Sequence, residues 1–242
     1  MSEDPFIHHP VLRDRIIAPE ESPLRDLDLE KLDEQVRAQG LAGDWRLTDA
    51  DREASRHAVM QGRMDKDLWV FAYGSLMWNP AFKFAEIRRG RIEGYHRSFC
   101  LYDTRGGRGT KDRPGLMAGL DAGGACDGLA FRIPAELVAE ESRILWKREM
   151  LTGVYVPTFV ACETDLGPVE ALTFVADRDN PVIRTDLPRE TQIRCIATGS
   201  GRLGTSREYL ENLADHFEAL GIPDAEVFDL LEDVRAWSEA AE

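Results

Sequence analysis

Six strand-like segments crowd into residues 67–176, and a single helix-like segment interrupts them. The segments are Leu68–Tyr73, Arg91–Tyr102, Leu116–Leu120, Gly128–Ile133, Val154–Glu163 and Val169–Ala176, with Gly, Pro or Asp between them. The interruption, Ala135–Met150, is rich in Glu, Leu and Ala; Pro134 suits a helix start and Gly153 a stop. Many strands around one embedded helix restrict the chain to an α+β fold with a mixed β-sheet or small barrel.

The flanks read as helical. After residue 176, one helix starts at Asp186 and Pro188 and reaches about Thr198. Thr205 and Glu208 form a capping-box pattern before Tyr209–Leu220, Gly221 ends that helix, and Pro223 precedes a last one through Trp237. Before residue 67, Pro5, Pro10, Pro19 and Pro23 break regular structure. A ragged stripe of Leu27, Leu29, Leu32 and Val36 then predicts one helix, and Thr48 predicts the cap of another over 49–62. Gly40 and Gly43 separate the two helices. Residues 1–66 hold too few apolar side chains for a core of their own. They are expected to be a mostly helical extension packed on a main domain of residues 67–242.

Charge excludes some functions. The 242 residues carry a net charge of −14, which disfavours non-specific nucleic-acid binding and anionic membranes. The distribution is uneven: net −5 over residues 1–66, +4 over 67–115 and −13 over 116–242. The basic stretch, with Arg88, Arg89, Arg91, Arg97, Arg105, Arg108, Lys111 and Arg113, is either a local site for a small anion or a solvated strand face. No apolar run is long enough for a membrane span, and MSEDPFIHHP does not read as a secretory signal. The four cysteines lie 26, 36 and 33 residues apart, with no CxxC and no Cys/His cluster. The expectation is a soluble, cytoplasmic protein with reduced, buried thiols.

Several candidate sites dissolve on inspection. Gly199, Gly201 and Gly204 fit GxGxxG, but a dinucleotide site needs a strand before that loop, and the segment before it reads as a helix. His8, His9, His57, His96 and His216 show no metal-ligand spacing. No nucleophile elbow is present.

Two features remain. Tyr73-Gly74-Ser75-Leu76-Met77-Trp78 directly follows the first strand. Gly74 lets the backbone turn sharply, and the amides of that turn can face a bound oxyanion; an ordinary tight turn fits the same residues. The second feature is Glu149. Helical spacing places it on one face with Val138 and Leu145, and Trp146 flanks it. A carboxyl on an apolar face is costly unless paired or useful, and burial would raise its pKa toward that of a working base. A helix-end glutamate paired with a nearby arginine is the alternative.

These residues, taken together, resemble a known family. Trp69-Val70-Phe71-Ala72-Tyr73-Gly74-Ser75-Leu76-Met77-Trp78-Asn79-Pro80 is similar to the opening motif of the ChaC-type γ-glutamylcyclotransferases. The likeness continues through Gly94–Cys100, Arg108–Leu116, Leu145–Met150, Arg207–Leu210 and Gly221–Asp224, covering about residues 67–235. Residues 1–66 lie outside it. The resemblance implies a compact barrel-like fold with no metal and no cofactor, and a small-molecule substrate. The implied reaction splits glutathione into 5-oxoproline and cysteinylglycine. By the same resemblance Glu149 is the catalytic acid/base. Ala72, Tyr73, Gly74, Ser75, Leu76 and Met77 form the γ-glutamyl-binding turn, with Tyr209 as a further site residue. Arg97 or Arg113 is expected, by charge, to help with substrate carboxylates. A cyclotransferase for other γ-glutamyl amines or amino acids, and a non-catalytic regulatory module linked to cation transport, are the alternatives.

Overall fold

The computed structural model describes residues 4–38, 40 and 45–241. Five strands close a barrel in the order β1-β3-β2-β4-β5. They are β1 (Leu68–Ala72), β2 (Glu86–Asp103), β3 (Gly115–Ile133), β4 (Tyr155–Thr164) and β5 (Val169–Ala176). β1 runs antiparallel to β3, with Val70 opposite Phe131, and parallel to β5, with Val70 opposite Leu172. β2 pairs antiparallel with β4, Ile92 opposite Cys162. A strand bonded on both sides with both faces covered reads as a continuous apolar run, as Leu68–Ala72 does.

The segments expected as two strands, Leu116–Leu120 and Gly128–Ile133, are halves of the single strand β3. Gly123 and Gly124, which read as a break, take φ of 98° and 68° and bend the strand without ending it. Gly94 of β2 also has positive φ, and the His96 ring nitrogen Nδ1 lies 3.0 Å from the Gly123 carbonyl.

The chain divides into two compact units, and β2 and β3 run from one into the other. The first comprises Met1–His96 and Ala122–Val175. Its core gathers Val70, Phe71, Phe82, Phe131 and Phe174 around Trp146 of helix α3 (Ala135–Glu149). Trp146 meets Phe174 edge-on at 5.6 Å, and burying each such ring contributes about 1.5–3 kcal/mol. The extension belongs to this unit. Helices α1 (Leu29–Ala38) and α2 (Asp49–Val59) form where expected, although α2 ends three residues early. Thr48 caps α2 by accepting from the Asp51 N–H. Buried Arg56 of α2 reaches the Ser142 hydroxyl of α3 at 3.0 Å. Further upstream, the Ile17 N–H bonds the Trp78 carbonyl, the Ser22 hydroxyl bonds the Asn79 side chain, and Arg25 bonds the Ala81 carbonyl.

The second unit comprises Arg97–Asp121 and Ala176–Glu242. Helices α4 (Arg189–Thr198), α5 (Ser206–Leu220) and α6 (Ala225–Ala241) pack together over Ile196, Leu213, Phe217, Leu230 and Val234. The Thr205–Glu208 capping box is formed, and Gly221 ends α5 with φ of 62°. The GxGxxG glycines stop α4 and build a two-strand hairpin, β6 (Ser200–Gly201) with β7 (Gly204–Thr205). A helix precedes them, so the dinucleotide reading fails on structure as it does on sequence.

All four cysteines are buried and none is in a disulfide. Burial pushes the Cys100 thiol up to about 11 and the Cys162 thiol up to about 12. No helix among the described residues is long and apolar enough to cross a membrane.

Candidate active site

The site forms where β1 ends and α3 ends, both inside the first unit. After Ala72 the chain enters a single 3-10 turn, Ser75–Met77, closed by the Met77 N–H on the Gly74 carbonyl and by the Asn79 N–H on the Ser75 carbonyl. The turn sits hard against the neighbouring strand. A Cβ on Gly128 would lie 2.2 Å from the Ala72 carbonyl oxygen, so only glycine lets β3 pass there. Tyr73 spends its hydroxyl on the Phe174 carbonyl of β5, at 2.7 Å, in a buried position. Leu76 and Met77 point into the core. Ser75 is half-buried. Among the described residues, the N–H groups of Gly74, Ser75 and Leu76 donate to nothing, because the first amides of a helical turn have no partner within it.

Glu149 is the last residue of α3. Its position follows from the apolar stripe: Val138 and Leu145 are fully buried on the same face, and the next turn brings the carboxyl to the interior with 13% of its side chain exposed. Burial pushes its pKa up, and the neighbouring Arg148 opposes that rise without cancelling it. The Arg148 Nε donates to Glu149 Oε1 at 2.7 Å. Among the described residues Oε2 accepts no hydrogen bond, and it is open to solvent. The pairing with an arginine, set out above as the ordinary alternative to a catalytic role, is therefore real, but it covers one oxygen only.

Arg148 also joins the two halves of the site. Its Nη2 donates to the Ser75 hydroxyl at 2.8 Å, and its Nη1 donates to the Asn79 carbonyl. The carboxyl and the Gly-Ser turn, more than seventy residues apart in sequence, are thus brought together through one guanidinium. Sequence reasoning passed over Arg148. Its signal was adjacency to Glu149 within Trp146-Lys147-Arg148-Glu149-Met150, which a reading by helical face discards.

Other expected residues lie elsewhere. Tyr209 is on α5 in the second unit, 3% exposed, with the Arg108 guanidinium 5.4 Å from its ring centre. Arg97, expected by charge to meet substrate carboxylates, is consumed internally: it pairs with Asp224 and lies over Phe217 at 4.3 Å. Arg113 is exposed in the loop between β2 and β3. Among the described residues no three His, Cys, Asp or Glu side chains cluster as metal ligands would.

A largely buried carboxyl with one oxygen lacking a protein donor, set on the same closed barrel as a turn with unspent amides, is a group able to exchange protons with a bound small molecule. Comparison with known proteins gives the particular family. The family described as ChaC-like protein matches residues 68–237, and the chain belongs to that family. It is 42% identical over 186 residues to the glutathione-specific gamma-glutamylcyclotransferase of Escherichia coli (strain K12), covering 76% of this chain and 80% of that one. It is 35% identical over 159 residues to the human glutathione-specific gamma-glutamylcyclotransferase 1, covering 64% and 71%. Among solved structures, the crystal structure of a gamma-glutamyl cyclotransferase specific to glutathione from yeast superimposes with a TM-score of 0.64 at 20% identity, over 71% of this chain and 97% of that one. That likeness shows the shared fold.

Proposed function

We propose that this protein degrades glutathione by intramolecular cyclisation, releasing 5-oxoproline and cysteinylglycine, with Glu149 as the general acid/base. The observation that carries the reading is the free oxygen of a buried Glu149 beside the Gly-Ser turn. It is supported by the family and by the name of its Escherichia coli relative.

The chemistry follows from the substrate. A γ-glutamyl group carries its own nucleophile, the α-amine, whose attack on the γ-carbonyl closes a five-membered ring. Folding it into position is worth roughly 7–11 kcal/mol in well-oriented intramolecular reactions. The α-ammonium must lose a proton before it attacks, and Glu149 Oε2 takes it. Its raised pKa makes it a better base than an exposed glutamate. The C–N bond to cysteinylglycine then breaks, and the same carboxyl returns the proton to the departing amine. General acid/base help of this kind contributes about 10²–10⁴-fold. The unspent N–H groups of Gly74, Ser75 and Leu76 suit the oxyanion that forms at the γ-carbonyl. Ala72, Tyr73 and Met77 shape and anchor the turn.

The thiol substrate and four cysteines outside any disulfide suit the cytoplasm. The extension, residues 1–66, acts as a brace on the main domain, residues 67–242; it bonds Trp78, Asn79 and Ala81 just beyond the turn.

The test is 5-oxoproline release from glutathione by the purified full chain, with Glu149→Gln alongside. Release by the wild type alone supports the reading. Release from γ-glutamyl amines but not glutathione would reassign the substrate, and no release from either would point to a binding module.

A further inference from the structure

We propose that Arg148 is the positioning residue of this reaction: its guanidinium selects which oxygen of Glu149 meets the substrate and locks that carboxylate to the substrate turn. The inference rests on the cyclisation reading and goes beyond it by assigning a role to a residue outside both the acid and the turn.

The geometry is specific. Each of the three guanidinium nitrogens has one acceptor: Nε the Glu149 Oε1, Nη2 the Ser75 hydroxyl and Nη1 the Asn79 carbonyl. Neighbouring residues on a helix point about 100° apart and do not normally pair. Arg148 must therefore turn back along the helix end to reach Glu149, and it does so while 7% exposed. A planar fork can satisfy three separated acceptors at once; an ammonium on a flexible stem cannot hold the same three in fixed directions. The far anchor is itself fixed, because the Asn79 side chain accepts from the Ser22 hydroxyl at 2.6 Å.

Two consequences follow, and they separate. By geometry, Arg148 pins Oε1 and leaves Oε2 without a protein donor among the described residues. By charge, it favours the carboxylate form of Glu149 against burial. Among the described residues it is the only charged group acting on that carboxyl; the two acceptors its other nitrogens reach, the Ser75 hydroxyl and the Asn79 carbonyl, are neutral.

The experiment measures 5-oxoproline release from glutathione across pH for the wild type, Arg148→Lys and Arg148→Gln, each with a thermal melt. Arg148→Gln loses fork and charge. Its kcat is expected to fall about 10²-fold, as for a misplacement near 1 Å, with far less change in KM and with the acid limb of kcat moved to higher pH. Arg148→Lys keeps the charge. Its acid limb is expected to stay near wild type while kcat still falls about tenfold, because orientation is lost. Folded variants with wild-type kcat and acid limb, or with a change in KM alone, overturn the proposal. If Arg148→Gln does not fold, Arg148→Lys decides: full kcat overturns. If neither folds, Ser75→Ala removes one anchor, and an unchanged kcat overturns. A wild type that releases no 5-oxoproline defeats the functional reading itself, a result distinct from active wild type with indifferent variants.

Discussion

Helix α3 buries a carboxylate in its middle and another at its end, and the two are treated in opposite ways. Glu141 is 0% exposed and fully engaged: Arg25 grips both of its oxygens at 2.7 and 2.9 Å, and the Lys83 N–H adds a third bond at 2.9 Å. Glu149 receives one donor, and its second oxygen has none among the described residues. The residue type and the helix are the same; the difference is the count of donors and the exposure of the second oxygen. A buried carboxylate with every acceptor filled stabilises a fold, because removing either partner strands a charge. One whose second oxygen has no protein donor and is open to solvent is available to a small molecule. The contrast separates a structural acid from the acid proposed to work, without reference to sequence motifs.

The sharpest way to break this contrast is to neutralise each acid in turn. Glu149→Gln should cost about 10²–10⁴-fold in 5-oxoproline release while the protein stays folded. Glu141→Gln should leave a melt-detectable loss with turnover per folded molecule far less affected; the reverse pattern would exchange their roles. Arg25→Met should be the most destabilising change, about 3–5 kcal/mol by denaturant unfolding, since it leaves Glu141 buried and unpaired. Its guanidinium also holds the Ala81 carbonyl, where a non-glycine residue sits at φ of 63°.

A subtler expectation concerns sign. Burial raises the folded-state pKa of Glu149 above the ordinary 4.5 of a glutamate, so this group favours folding below that pH and disfavours it as pH rises through the folded value. Glu149→Gln should therefore melt above wild type at alkaline pH, and the gap should close as pH falls toward 4.5. Gaining stability while losing catalysis would be a direct signature of an acid kept for function. The smallest effect lies in the extension. Asp33 accepts from Arg46 and Trp45, which hold its carboxyl down at about 2. Its stabilisation is present above 3.8 and lost as pH falls through about 2, so Asp33→Asn should flatten the acid side of the melting profile.

The same contrast shows what a one-dimensional reading reaches. Glu149 was legible because its helix carries a local period, and the Gly-Ser turn because a strand stops abruptly there. The Thr205–Glu208 cap was legible for the same reason: its partners are three residues apart. Glu141 was not, because its partner Arg25 lies 116 residues away and nothing local announces the pairing. Arg148 was missed although it touches Glu149 in sequence, since its meaning lies in Ser75 and Asn79 across the fold. The strand β3 was cut in two because Gly123 and Gly124 signal a turn, whereas barrel closure carries the ladder through them. Arg97 was assigned by charge alone, and charge does not say that Asp224 has already claimed it.

The buried cysteines bear on the setting proposed for this protein. Thiol–disulfide exchange needs a thiolate and an approach path, and Cys100 and Cys162, at about 11 and about 12, offer neither at neutral pH. An enzyme that consumes glutathione meets its disulfide continually. With Cys100 and Cys162 withdrawn in this way, those two thiols are poor partners for mixed disulfides, so oxidation acts on the supply of reduced substrate and not through them.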